Sequence, residues 1–244
     1  STLYSLLRKQ DAYIKMFVKV EKNSAMELEN VTQYEYQDPA RLPEMLASVI
    51  RRDPDVIMID QCPDAKTADL LCDFAREKLV ILGLKAKDSF TALAKWVTIV
   101  GDARKATKRL HGVTSQTLIR KICPTCREPY QPDANLLKKI NMHADKVDVF
   151  YRPPTQQVTD NKGNVIPCET CQDSGYYGRT GVFEYLQLTP EMRELLRNNA
   201  SLTQIKSEAR KNKMQYLQEN ALAKVVAGIT SIQEVVRTFQ SGKK

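Results

Sequence analysis

The chain has 244 residues, 42% of them hydrophobic and 27% charged, which is the range usual for a globular protein and allows one large domain or a few small ones. No apolar run approaches the roughly 18–20 residues that span a bilayer, and the start carries no secretory pattern. The formal net charge of +8 comes from Lys and Arg scattered among acids, which argues for a solvated surface and against a nucleic-acid face.

In chain order, the opening STLYSLLRKQ reads as a helix already under way, so a preceding segment with any phosphate-binding loop is expected upstream of Ser1. MFVKV (16–20) is a short β-rich run, and ARLPEMLASVIRR (40–52) spaces Leu42, Met45, Leu46, Val49 and Ile50 as one helical face. DVIMI (55–59) is a continuous apolar run of the buried-strand type and leads into Asp60 and Gln61. TADLLCDFARE (67–77) is predicted helical, KLVILGL (78–84) a strand, SFTALAKWVTIV (89–100) a helix, and 101–122 a continued helix. This alternation predicts a parallel α/β sheet. Residues 127–167 turn polar, with a loop-like PPTQQVTDNKGN at 153–164. Beyond CETCQDSGYYGRTG the chain is predicted to be helical, with Thr189-Pro190 as a helix start, capping boxes at Ser201–Gln204 and Ser231–Glu234, and Gly228 as a helix end.

Four of the six cysteines form two C-x-x-C pairs, Cys123/Cys126 and Cys168/Cys171. Two such pairs fill a tetrahedral four-thiolate zinc site and leave no position for water, so the metal would be structural. Four unrelated thiols, or a pair of disulfides, is the competing reading. Cys62 and Cys72 have no partner at ligand spacing and read as core thiols.

STLYSLLR, ENVTQYEY (29–36), RRDPDVIMI (51–59), TLIRKICPTCREPY (117–130), CETCQDSGYYGRTGVFEYL (168–186) and ALAKVVAGITSIQEVVR (221–237) together resemble the catalytic half of the motor ATPases of type II secretion and type IV pilus assembly. The resemblance implies a RecA-like P-loop NTPase sheet, truncated at its N-terminal side, over 1–122, a tetracysteine zinc domain over 123–175 and a C-terminal helical domain over 176–244. It implies ATP with Mg²⁺ as ligands if nucleotide binding is retained, with Thr2 and Asp60 on the nucleotide side and Glu21 and residue 61 as catalytic positions. It further implies a homohexamer or a mixed ring with a paralogue, acting on inner-membrane platform proteins from the cytoplasmic face of a bacterium.

The catalytic boxes depart from that pattern. The strand that ends Gly-Glu in the family ends Asp60-Gln61 here, and the acidic box Glu-Asp-Pro becomes Glu21-Lys22-Asn23. Pro63-Asp64-Ala65-Lys66-Thr67 replaces Arg-Asp-x-Glu-Thr, Lys78 and Lys85 stand where two histidines are expected, and Ala47 replaces an arginine. The histidines of this chain, His111 and His143, lie elsewhere. A Gln amide has the shape of Glu but negligible basicity, so it cannot polarise an attacking water. The expectation is a site able to bind nucleotide and metal but poor at hydrolysis, the alternative being a non-enzymatic ring subunit or regulator.

Overall fold

The computed structural model describes residues 2–9, 15–24, 26–140, 149–156, 159 and 161–240; Ser1 and His143 lie outside them. The first sheet is four-stranded and parallel, in the order β2-β1-β3-β4, with β1 Phe17–Glu21, β2 Val31–Glu35, β3 Val56–Ile59 and β4 Leu79–Leu82. Its register is continuous: Val20 lies opposite Ile59, and Ile59 opposite Leu82. Side chains alternate between faces. Val18, Val20, Ile57 and Ile59 share a core with Leu42, Leu46 and Val49 of α2 (Leu42–Ile50) and with Ala68 and Leu71 of α3 (Ala65–Phe74). Phe17, Val56 and Met58 pack instead with Tyr4 and Leu7 of α1 (Thr2–Arg8). Helix α4 (Ser89–Val100) starts at an Asp88 cap that accepts from the Thr91 amide, and ends at Gly101 with φ 76°, the left-handed conformation that glycine adopts without cost.

Two stretches expected to be helical are strands. Residues 101–122 contain only a short helix, α5 (Ala103–Lys108), followed by the eleven-residue β5 (Gly112–Ile122). Thr114, Gln116 and Leu118 are exposed while Ile119 is buried, a period of two in a stretch rich in β-branched residues. The region after residue 175 opens with β8 (Tyr176–Gln187), where buried Val182, Glu184 and Leu186 alternate with exposed Phe183, Tyr185 and Gln187. β5 and β8 pair with each other, as do β6 (Glu128–Tyr130) and the antiparallel β7 (Phe150–Arg152). Helix α6 spans Ala134–Lys139. Helix α7 (Pro190–Arg197) starts at the Thr189 cap, and α8 (Leu202–Lys211) carries the complete Ser201–Gln204 capping box. Helices α9 (Leu217–Val226) and α10 (Ile232–Gln240) follow. Gly228 adopts φ 66° just after α9. At the start of α10 Ser231 caps the Glu234 amide, but the Glu234 carboxylate is spent on Arg120 and Arg237.

By contacts the chain divides into two compact units, 1–113 with 186–213, and 114–185 with 214–244. These units differ from the division that the resemblance implies: α7 and α8 go with the first unit and α9 and α10 with the second. The second unit has its own core of Ile119, Phe150, Val182, Leu217, Ala221 and Val225. Among the described residues no helix is long and apolar enough to cross a membrane.

Candidate nucleotide and metal sites

Glu21, Asp60 and Gln61 come together at the carboxyl ends of β1 and β3, where an open parallel α/β sheet places ligands. Asp60 continues the ladder, its amide donating to the Val20 carbonyl at 3.2 Å. The Asp60 carbonyl lies so close to Gly83 that a Cβ there would sit 2.3 Å from its oxygen; only glycine lets the chain leave β4 beside it. Asp60 Oδ1 accepts from the Tyr36 hydroxyl at 2.8 Å, and Oδ2 from the Lys22 amide at 3.0 Å. Gln61 Nε2 donates to the same Tyr36 hydroxyl at 2.6 Å. Burial and the hydrogen bond to Asp60 raise the Tyr36 pKa above that of an ordinary phenol, so Tyr36 keeps its proton and donates it in the hydrogen bond to Asp60. Thr2 is partly buried as the first residue of α1.

Glu21 is engaged from within. Both of its carboxylate oxygens accept from the Tyr4 hydroxyl, at 2.9 and 2.8 Å. Lys19 Nζ lies 3.4 Å away, with the Lys19 side chain fully buried and that of Glu21 9% exposed. The same ammonium donates to Ser24 Oγ at 2.6 Å and to the Met26 carbonyl, and sits 5.0 Å from the centre of the Tyr4 ring. The sequence reading singled out neither Lys19 nor Tyr36. The signals for Lys19 were present: a charge inside an apolar strand needs a partner, and residues two apart on a strand share a face. Tyr36 follows β2, with its amide bonded to the Glu21 carbonyl at 3.1 Å, and only the sheet order brings it to Asp60.

The substituted lysines are dispersed. Lys78 precedes β4 at the amino end of the sheet, where it pairs with Asp53 and Asp55 at 3.1 and 3.2 Å. It therefore lies away from Asp60 and cannot supply charge there. Lys85 is exposed, and its carbonyl accepts from Lys95 Nζ. His111 is also exposed, its carbonyl bonded to the Leu188 amide.

The four paired cysteines converge, with all Sγ atoms within 4.8 Å of one another. Cys123 and Cys168 are 3.9 Å apart, Cys126 and Cys171 3.5 Å; the edge of a zinc–thiolate tetrahedron is about 3.8 Å for bonds of about 2.3 Å. Asp173 accepts from the Cys168 amide at 2.8 Å, and the Thr125 and Thr170 hydroxyls meet at 2.7 Å. Burial pushes the Cys123 thiol up, but the Cys126 and Thr125 amides and the neighbouring sulfurs outweigh it and bring the pKa down to about 7. Burial and those same sulfurs raise Cys126. The donor set and spacing fit a tetrahedral soft-metal site. Cys62 is a core thiol, raised to about 12 by burial and by Asp64.

The first unit is thus a parallel α/β sheet with an acid following its β3, and the second carries a four-thiol cluster that could hold a metal ion. Solved structures agree on the fold. The pilus retraction motor PilT with bound ADP superposes with a TM-score of 0.62 at 16% identity, over 97% of this chain and 56% of that one. The Legionella pneumophila ATPase DotB gives 0.57 at 16% identity, over 93% and 52%. The profile of the family described as type II/IV secretion system protein matches residues 1–237, and the chain belongs to that family. The type IV pilus assembly ATPase PilB of Thermus thermophilus is 30% identical over 213 residues, 86% of this chain and 23% of the relative. Type II secretion system protein E of Pseudomonas aeruginosa is 26% identical, over 97% and 45%. The chain thus spans less than half the length of these two relatives.

Proposed function

We propose that this chain is the nucleotide-binding half of a secretion or pilus-assembly ATPase-like subunit that binds ATP and hydrolyses it poorly. The observation that carries the reading is the Gln61–Tyr36–Asp60 chain of hydrogen bonds. The position that would orient water holds an amide already donating to a phenol, so no group there takes a proton from water. Asp60 keeps lone pairs beyond the two it uses, and with Thr2 it would hold the magnesium-bound phosphates. When bound, the ion would neutralise phosphate charge. Gln61 would fix Tyr36 through Nε2, and its Oε1 could accept from a water without acting as a base. Glu21, paired with Lys19, contributes to packing more than to chemistry, which favours a non-enzymatic ring subunit or regulator as the second reading. The four cysteines would hold one structural zinc and make 123–175 a separately stabilised module. By likeness to its family, the protein would act in a hexameric or mixed ring on platform proteins at the bacterial inner membrane. The test is steady-state phosphate release at saturating ATP beside a nucleotide-binding titration, on the protein in its full length. Binding with near-background release is expected, and fast release would overturn the reading.

A further inference from the structure

Within the first unit, a cleft of about 590 Å³ opens between the end of α3, α5 and the last turn of α7. Neither Thr2, Glu21, Asp60 nor Gln61 lines it. Its walls carry Arg76, Arg104, Lys105, Lys108 and Arg197 against two acids, Asp102 and Glu194. Part of this charge is spent locally. Lys105 pairs with Asp69 at 2.7 Å and Arg76 with Asp73 at 2.8 Å, and Asp102 caps α5 through the Arg104 and Lys105 amides. Among the described residues no ion pair involves Arg104, Lys108 or Arg197.

These three cations are brought together by the fold. Arg104 and Lys108 are one turn apart on α5 and so share a face. On α7, Arg193 reaches the Thr107 and Leu110 carbonyls at 3.0 and 2.9 Å, which seats that helix against the end of α5. Arg197, one turn further on, then falls beside the α5 cations. Holding like charges in one concavity costs energy, and the concavity focuses their field on any anion that enters. The volume is that of a small-molecule site, and guanidinium forks match phosphoryl oxygens.

We infer that this cleft is a second ligand site, for a polyphosphorylated small molecule held by Arg104, Lys108 and Arg197. Phosphoryl groups in series meet several separated cations at once, whereas a single carboxylate engages one. The ligand needs no divalent ion, because the protein supplies the counter-charge.

The probe is inorganic tripolyphosphate titrated calorimetrically into the full-length protein in buffer without added divalent ions, with parallel arms of ATP and of vesicles bearing an anionic phospholipid. The double variant Lys108→Glu/Arg197→Glu changes exposed side chains only; a Lys108→Gln/Arg197→Gln pair serves if it does not fold. Tripolyphosphate affinity is expected to fall about tenfold or more in either variant, as befits loss of charge-assisted contacts. It is expected to stay unchanged in Thr2→Ala/Asp60→Asn, which reads the other site. The ATP and vesicle arms tell which source presents the phosphates. Equal binding by the charge variants, loss of binding in Thr2→Ala/Asp60→Asn, no binding at all, or tighter binding of poly-glutamate than of tripolyphosphate would each overturn the inference.

Discussion

Lys19 offers a direct test of whether Glu21 belongs to the packing or to the chemistry. Its side chain is fully buried, and its ammonium lies 3.4 Å from a carboxylate that is itself nearly enclosed. Replacing it by Met keeps the volume and removes the charge. Among the described residues Glu21 then remains buried with the Tyr4 hydroxyl to stabilise it, and breaking a buried pair on one side costs about 3–5 kcal/mol. Tyr4 keeps donating, so the lower end applies, about 3 kcal/mol. In a domain of this size that corresponds to a fall in Tm of roughly 6–12 °C. Glu21→Gln should cost somewhat less, about 2 kcal/mol, because the ammonium keeps Ser24 Oγ and the Met26 carbonyl. The double variant Lys19→Met/Glu21→Leu removes both charges and should lose less than the sum of the singles, by about 2 kcal/mol or more. Urea unfolding followed by circular dichroism gives all three values. A Lys19→Met protein within about 0.5 kcal/mol of the parent, or singles that simply add in the double, would refute the reasoning and return Glu21 to the candidate catalytic groups.

Restoring the acid with Gln61→Glu should raise ATP turnover only modestly, because groups that act as one unit are not recovered singly; a return to rapid phosphate release would contradict this. Metal analysis should find about one zinc per chain, and Cys126→Ser should lower that content. Chelation should speed amide exchange over 123–175 and at the turn 228–230, which is tied to the metal segment through Arg127 to the Gly228 carbonyl at 2.8 Å and to β5 through the Ile122 amide to the Ile229 carbonyl at 2.9 Å. Glu234 is fully buried, and burial alone would raise its pKa, but hydrogen bonds from Arg237 and Arg120 prevail and lower it to about 2. Its contribution to stability is therefore complete above the unfolded value of 4.5 and is lost as pH falls from there toward about 2. With both arginines partly in water the loss is about 2 kcal/mol. Glu234→Gln should flatten acid unfolding in that window.

β3 and β4 are legible because VIMI and LVIL are purely apolar, whereas β2, VTQYE, carries three polar residues and shows no strand signal in the sequence. VIMI (56–59) has no polar position to confuse its period, and the caps at Thr189 and Ser201 are local signals that packing leaves untouched. The alternation of β5 and β8 is masked by apolar residues on the outer face, Leu118 in β5 and Phe183 and Tyr185 in β8, and by Glu184 on the buried face, and the two strands are more than fifty residues apart in sequence. The four cysteines could be gathered from spacing alone. The internal partners of Glu21 and Asp60 could not, because Tyr4, Tyr36 and Lys22 reach them through helix docking and sheet order rather than through any motif.

The single proton on Tyr36 has a consequence for how this site can change over generations. The hydroxyl gives its hydrogen to Asp60 and receives one from Gln61. An ionised Glu at 61 has no hydrogen to give, so two carboxylates would compete for one donor at hydrogen-bond range. One of them must then take up a proton of its own or move away. A Glu at 61 is therefore accommodated only where Asp60 or Tyr36 gives up part of its present bonding, so the three positions constrain one another as a set.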